Sequence, residues 1–577
     1  MKKIFFLFIL ITACKTEKRD LNFDFTTTFE KSQGTETPTY PEVINYYTEL
    51  AKAFPEITIE AIGETDAGKP LHIVTWNIEK NFNFQEIRKN KQILFINNGI
   101  HPGESDGIDA TMLLFRDLAN GKIEAPQNTV LVTIPVYNVG GSLNRNSTTR
   151  TNQNGPKEYG FRGNARNYDL NRDFIKSDTK NAKTFAKIFH KVQPDVFIDN
   201  HVSNGADYQY TLTHLFTQHN KLGGDLGNYL HTIMMPNLEE KLAAKNWDIT
   251  PYVNVFNTVP ETGFSQFMDS PRYSTGYTTL FNTLGMMVET HMLKPYKQRV
   301  EGTYELMKSM LEITEKDGKK IKELRANYNK KLLANKTYPL NWQVDTTKTS
   351  TLNFKGFEGA MIPSKITGQQ RLKYDTTKPF TKEINYLNYF KPTDSVSIPS
   401  AYVIPKGWWN VIERLKGNNV EMKTLKNDTV LEVSAYTIDK YETRKQAYEG
   451  HYPHYNTTVK SSSEKITFRE GDFIINTNQR ALRYLLETLE PQAPDSFFNW
   501  NFFDTILQQK EHFSPYVWED KAKALLAQNP KLQIAFNTKK SFNKDFANNW
   551  YAQLDWLHKQ SENYEKAHLQ YPVYRVE

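Results

Sequence analysis

Two residues open the chemistry of this sequence. His101 and Glu104 stand three apart in "HPGE", just after the apolar run "QILFINNGI". In a helical turn, side chains three apart share a face, so the imidazole and the carboxylate can reach one point. Histidine nitrogen and carboxylate oxygen are zinc donors, and a catalytic zinc takes three protein ligands and leaves one position open. A third ligand is therefore expected at another strand end. His201, in "DVFIDNHVSNGADYQY", is placed that way. The competing reading for a lone histidine there is a simple hydrogen-bonded side chain.

Two further segments bear on the same site. "NARNYDLNRDF" packs Arg166, Asn167, Asp169, Asn171, Arg172 and Asp173 into eight positions. Adjacent Asn and Arg can hold a carboxylate, Arg through a two-pronged contact; a solvated loop is the alternative. "GMMVETHMLKPY" sets Glu289 inside an apolar run. A carboxylate is costly to bury unless it is paired or poised for chemistry, so Glu289 is either a structural ion pair or a general base.

The elements that must position these residues alternate. "ITIEAIGETDAGKPLHIVTW" reads as two strands about a turn, and "QILFINNGI", "NTVLVTIPVYNV", "DVFIDNHV" and "GMMVETHM" as later strands. "SDGIDATMLLFRDLANG" and "TKNAKTFAKIFHKVQP" read as helices. That alternation predicts an α/β fold, a mixed sheet covered by helices on both faces, with sites beyond the strand ends. The lysine-rich stretch from Thr303 reads as a solvated helix closing this unit. From about Tyr338, short β-type runs such as "TLNFKGFEG" and "DTVLEVSAYTI" predict a smaller β-rich part. "QRALRYLLETLEPQ" and "NWNFFDTILQQKEHF" then read as helices.

Composition bounds the rest. The chain has 577 residues, 38% hydrophobic and 13% aromatic, enough for real cores. Net charge is +7 with no long basic block, and no nucleic-acid partner is expected. "MKKIFFLFILITAC" has two lysines, an apolar run too short to span a bilayer, and small residues before Cys14. It reads as a lipoprotein signal peptide over 1–13, with Cys14 lipidated and 14–39 a polar tether. The protein is expected at the bacterial cell envelope, lipid-anchored, facing the periplasm or the outside. Cys14 is the only cysteine, so an intrachain disulfide and a thiol ligand are excluded.

Taken in order, "HPGE", "DLNRDF", "DNHVSNGADYQY" and "VETHM" resemble the zinc carboxypeptidases over about residues 40 to 310. The resemblance implies a catalytic unit at 40–335 and one zinc ion held by His101, Glu104 and His201. It implies that Glu289 activates the attacking water and later protonates the leaving amine. Asn171 and Arg172 would hold the free C-terminal carboxylate of a peptide substrate, and Asp169 would orient His101. The family's oxyanion arginine is assigned to Arg150, with Arg145, Arg162 and Arg166 as rivals. Its tyrosine that closes over substrate is assigned to Tyr277, with Tyr273 as the rival. Other substrates for such a site are N-acyl amino acids and cell-wall peptides, and a non-catalytic binding lipoprotein is a further reading. Residues 336–577 resemble the appendage of some bacterial members. His190 is expected on the surface, His214 and His219 in structural roles, and His291 in the core or behind the site.

Overall fold

In the computed structural model, residues 23–577 are described, so Cys14 and the signal segment lie outside the described residues. Eight strands form one mixed sheet. They are β1 (Ile57–Glu64), β2 (Pro70–Trp76), β3 (Gln92–Asn97), β4 (Thr129–Ile134), β5 (Val196–Ser203), β6 (Leu212–Phe216), β7 (Ile249–Pro251) and β9 (Leu284–His291). β8 (Phe264–Ser265) lies outside it. The order is β1-β2-β4-β3-β5-β9-β6-β7, with β4, β3, β5 and β9 mutually parallel. β3, β4 and β5 are buried at every position, which is why β3 and β4 read as largely apolar runs.

Helices cover both faces. Phe95 of β3 packs on Phe185 of the helix Lys180–Val192. The opposite face takes the helices Asp106–Ala119 and Tyr296–Ala334, which pack on each other. Alternation along β3 explains the split, since successive side chains point to opposite faces. The long helix departs from its expected solvated character. Val300, Leu306, Met307, Met310 and Ile313 are buried, and most of its exposed lysines lie in the later turns.

Residues 23–39 do not behave as a tether. Phe29 is buried against Tyr296, and Phe25 packs on Tyr46 and Phe54. Thr37 donates to buried Asp109 at 2.6 Å. Three phenylalanines in a polar segment were sufficient to dock it on the core. Among the described residues, no helix is long and apolar enough to cross a membrane.

Beyond Ala334 the chain is β-rich, as expected. Two long antiparallel hairpins stand out, Ser350–Pro363 with Gln370–Leu387, and Thr429–Thr443 with His454–Phe468. The first adds to β8 by parallel pairing of Tyr386 with Phe264. The second belongs to a six-stranded sheet that also takes the last strand, Tyr574–Val576. The helix Leu482–Leu489 is wholly buried, and its Arg483 and Glu487 bond Asn282 and Lys221 of the first part. One apolar cluster therefore runs through both parts. "NWNFFDTILQQKEHF" holds turns and a 3-10 helix over Asp504–Leu507 in place of the expected helix; true helices resume at Pro515–Gln528.

Candidate metal centre and active site

β3 ends at Asn97, and the chain turns through His101 before the helix Asp106–Ala119 begins. The N–H of Glu104 bonds the carbonyl of His101 at 2.8 Å, which closes the turn and brings both side chains to one side. β5, paired in parallel with β3, brings His201 alongside. His101 Nδ1 lies 3.1 Å from Glu104 Oε1, and His201 Nδ1 lies 3.0 Å from Glu104 Oε2. One ligand atom from each of the three residues falls within 4.8 Å of the others, and all three residues are buried.

The far nitrogens are also held. His101 Nε2 donates to Asp169 Oδ1 at 2.9 Å, and His201 Nε2 donates to Asp199 Oδ2 at 3.0 Å. Each carboxylate fixes the ring so that Nδ1 faces Glu104, the arrangement metal-binding histidines use. Asp199 escaped the sequence reading. Its signal was there, because Asp199 and His201 are two apart on one strand and so share a face.

Carboxylates and cations face each other at the site, with Arg150, Arg162 and Arg172 beside Glu104 and Asp169. Burial works to raise Glu104, but His101, Arg150 and the imidazole hydrogen bonds outweigh it and hold the carboxyl well below its ordinary value. Asp169 is likewise lowered against burial, by His101, Arg162 and Arg172. Burial alone would lower His201, yet Asp199 and Glu104 hold it well above its ordinary value. Two imidazoles and one carboxylate, each imidazole held at its far nitrogen by Asp169 or Asp199, are a donor set that fits a zinc ion.

Glu289 arrives on β9, where it pairs in register with His201 of β5 and with Thr213 of β6. Burial pushes its carboxyl up to about 8, helped by Glu104 and Asp199 and opposed by His201 and Arg162. It is the carboxylate in the apolar run, and the strand register sets it beside the third ligand.

Of the four arginines considered, two reach the centre. Arg150 Nη2 sits 3.0 Å from Glu104 Oε1, and its stem lies over Gly103, where a Cβ would fall 2.5 Å from Arg150 Cδ. That contact gives the glycine of "HPGE" a reason. Arg162 bonds Asp169 Oδ2 at 2.8 Å and stands 3.8 Å from Glu104, with 44% of its side chain exposed. Arg145 instead bonds the carbonyls of Thr37 and Pro38, and Arg166 lies over the Tyr168 ring.

The turn Leu170–Arg172 places Asn171 and Arg172. Asp169 caps it by accepting the N–H of Asn171 at 2.9 Å. Arg172 Nη1 lies 3.9 Å from Asp169 Oδ2, so one carboxylate faces both a ring nitrogen of His101 and the Arg172 guanidinium. Asn171 Oδ1 faces the N–H of Ser274.

Tyr277 is corrected. Its side chain is fully buried among Phe174, Phe185, Phe189 and Phe281, and its hydroxyl donates to Asn418 at 2.6 Å. The helix Ser274–Thr279 turns it into the core, away from substrate. Tyr273, just before that helix, carries the Arg172 guanidinium 4.5 Å over its ring. Tyr273→Ala is therefore expected to raise KM several-fold with stability nearly unchanged. Tyr277→Phe should leave kcat/KM unchanged and cost about 1 kcal/mol of stability, the worth of one buried hydrogen bond. Steady-state kinetics and thermal unfolding of the two variants check this.

Tyr252 was not anticipated. It follows β7, and its N–H bonds the carbonyl of His214 at 2.8 Å. Burial raises its phenol, and the charge of Glu289 raises it further. His190 is also corrected: it packs edge-on to Phe281 at 4.7 Å, and burial together with Arg480 lowers it to about 3. His214 bonds Glu239, His219 stacks on His231, and His291 bonds Asp207 behind the site.

A two-histidine, one-glutamate centre at parallel strand ends, with a carboxylate on the adjacent strand, defines a metal-dependent hydrolase. Residues 43–212, under a third of the chain, match the family model described as zinc carboxypeptidase, and that part of the protein is similar to the family. A carboxypeptidase 2 of Trichophyton rubrum is 22% identical over 447 residues, covering 70% of this chain and 72% of that protein. The carboxypeptidase 2 of Trichophyton equinum is also 22% identical, over 81% of this chain and 84% of its own length. The crystal structure of carboxypeptidase A from Helicoverpa armigera superposes with a TM-score of 0.38 at 16% identity, covering 49% of this chain and 74% of that one.

Proposed function

We propose that this protein hydrolyses the C-terminal peptide bond of peptides that carry a free terminal carboxylate. One observation carries the reading: Asp169 joins His101 of the three-residue centre to Arg172, so an anion-binding arginine stands one side chain from the candidate metal ligands. His101, Glu104 and His201 would hold the zinc. When bound, zinc supplies a Lewis acid that acidifies water and polarises the scissile carbonyl.

The chain's own groups carry the remaining work. Arg172 and Asn171 receive the terminal carboxylate and set the last peptide bond against Glu289. Glu289 takes one proton from the attacking water as its oxygen bonds the acyl carbon. It then returns that proton to the leaving nitrogen as the C–N bond breaks. Arg150, held by Gln153 at 2.5 Å and by Glu104, faces the centre as the donor for the charge that builds on the carbonyl oxygen. Lipidation of Cys14 would hold the enzyme at the cell envelope, where peptides and cell-wall fragments are at hand.

The test uses a peptide library with free and amidated C-termini. The wild type should release terminal amino acids only from free ends. Arg172→Ala should raise KM about 10- to 100-fold, the range for a lost charged hydrogen bond, and erase the preference for free ends. Equal rates on amidated peptides by the wild type would refute the assignment.

A further inference from the structure

The second long hairpin carries the loop 444–453, which leaves its own sheet and lands on the turn bearing Asp169 and Arg172. Backbone bonds between Tyr448 and His451 close the tip. Glu449 and Gly450 both have positive φ, 50° and 79°. At Gly450 a Cβ would lie 2.5 Å from the Tyr168 hydroxyl, so the tip needs glycine to seat against the loop. His451 Nε2 meets Asp178 Oδ2 at 2.7 Å, and Arg414 and Lys176 bond the same carboxylate. Seated this way, Glu449 Oε2 accepts the backbone N–H of Asp169 at 2.8 Å.

We propose that Glu449 is a positioning residue for the metal centre, through which the appendage sets the geometry of the catalytic turn. Asp169 carries two duties on one oxygen: Oδ1 accepts from His101 Nε2 and from the N–H of Asn171. Where the Asp169 backbone sits decides where that oxygen sits, and with it the angle of the His101 ring. A charged acceptor on its N–H pins that backbone. A non-glycine residue held in the left-handed region is costly and persists where the surroundings over-determine it.

The inference rests on His101 being a zinc ligand, so the test reads zinc directly. The full chain is loaded with zinc, and affinity is measured by chelator competition without substrate. Asp169→Asn sets the scale, since losing a partner of a metal-bound histidine costs 10- to 100-fold in affinity. Glu449→Ala should weaken zinc binding about tenfold and lower kcat with KM little changed, at an unaltered melting temperature. Glu449→Gln keeps an oxygen acceptor and should recover most of the loss. Gly450→Ala, which unseats the tip with Glu449 intact, should reproduce the effect of Glu449→Ala by an independent route. Zinc affinity within twofold of wild type in Glu449→Ala and Gly450→Ala overturns the proposal, as does an equal loss in Glu449→Gln and Glu449→Ala. A wild type that binds no zinc defeats the proposed function as well. A wild type that binds zinc but cleaves no peptide defeats only the substrate reading.

Discussion

Glu289→Gln is expected to lower kcat by about 10³-fold with zinc affinity changed little, since a positioned acid–base group contributes 10²- to 10⁴-fold. Glutamine fills the same volume and cannot take a proton. Glu289 is suited to the task by its position opposite His201 and by its surroundings. Burial, Glu104 and Asp199 hold its carboxyl up at about 8. A raised carboxyl is protonated below that value, so the competent carboxylate fills in as pH rises. A cation at His101, Glu104 and His201 favours the carboxylate and shifts that rise to lower pH. The wild-type kcat profile should therefore climb on its acid side, and that limb should vanish in Glu289→Gln. A glutamine variant that keeps more than a tenth of wild-type kcat would remove Glu289 from the role of base.

His201→Ala is the second large effect. Zinc should be lost on dialysis, and kcat/KM should fall by more than about 10⁴-fold, because the water-activating ion goes with its ligand. The imidazole is also wedged between Glu104 and Asp199, both buried. Its removal takes a hydrogen-bond partner from each of two buried carboxylates, which costs about 1–3 kcal/mol where an acceptor is left unsatisfied. Metal analysis and thermal unfolding measure the two consequences separately. Chelator-treated wild type serves as the comparison: it should lose activity, and unlike the variant it should regain it when zinc is restored. Zinc retained at wild-type level in His201→Ala would show that another residue supplies the third ligand.

Much of the centre was legible because it depends on local rules. His101 and Glu104 are neighbours in a turn, and three positions is the spacing that brings two side chains to one point. His201 was expected at another strand end, and Glu289 stands in an apolar run of strand length, where a carboxylate is costly enough to demand a purpose. The strands that carry them were plain for the same reason, being buried on both faces. Tyr277 was misplaced because one helical turn separates it from Tyr273, and only the start of the helix Ser274–Thr279 decides which ring faces the site. Arg150 and Arg162 come from a stretch with little regular structure, so no periodicity could rank them.

The sequence by itself determined the His101–Glu104 pair and the alternating elements that carry the site, through residue type and spacing a few positions apart, while its resemblance to the zinc carboxypeptidases implied His201 as third donor and the reaction class. Tertiary structure alone decided what required distant segments to meet. It docked residues 23–39 on the core through Phe25 and Phe29. It ran one apolar cluster through both parts of the chain. It brought Glu449 onto the N–H of Asp169, 280 positions away in sequence. Such contacts leave no local pattern, because what stabilises them is burial and hydrogen bonding between surfaces that exist only once both have folded.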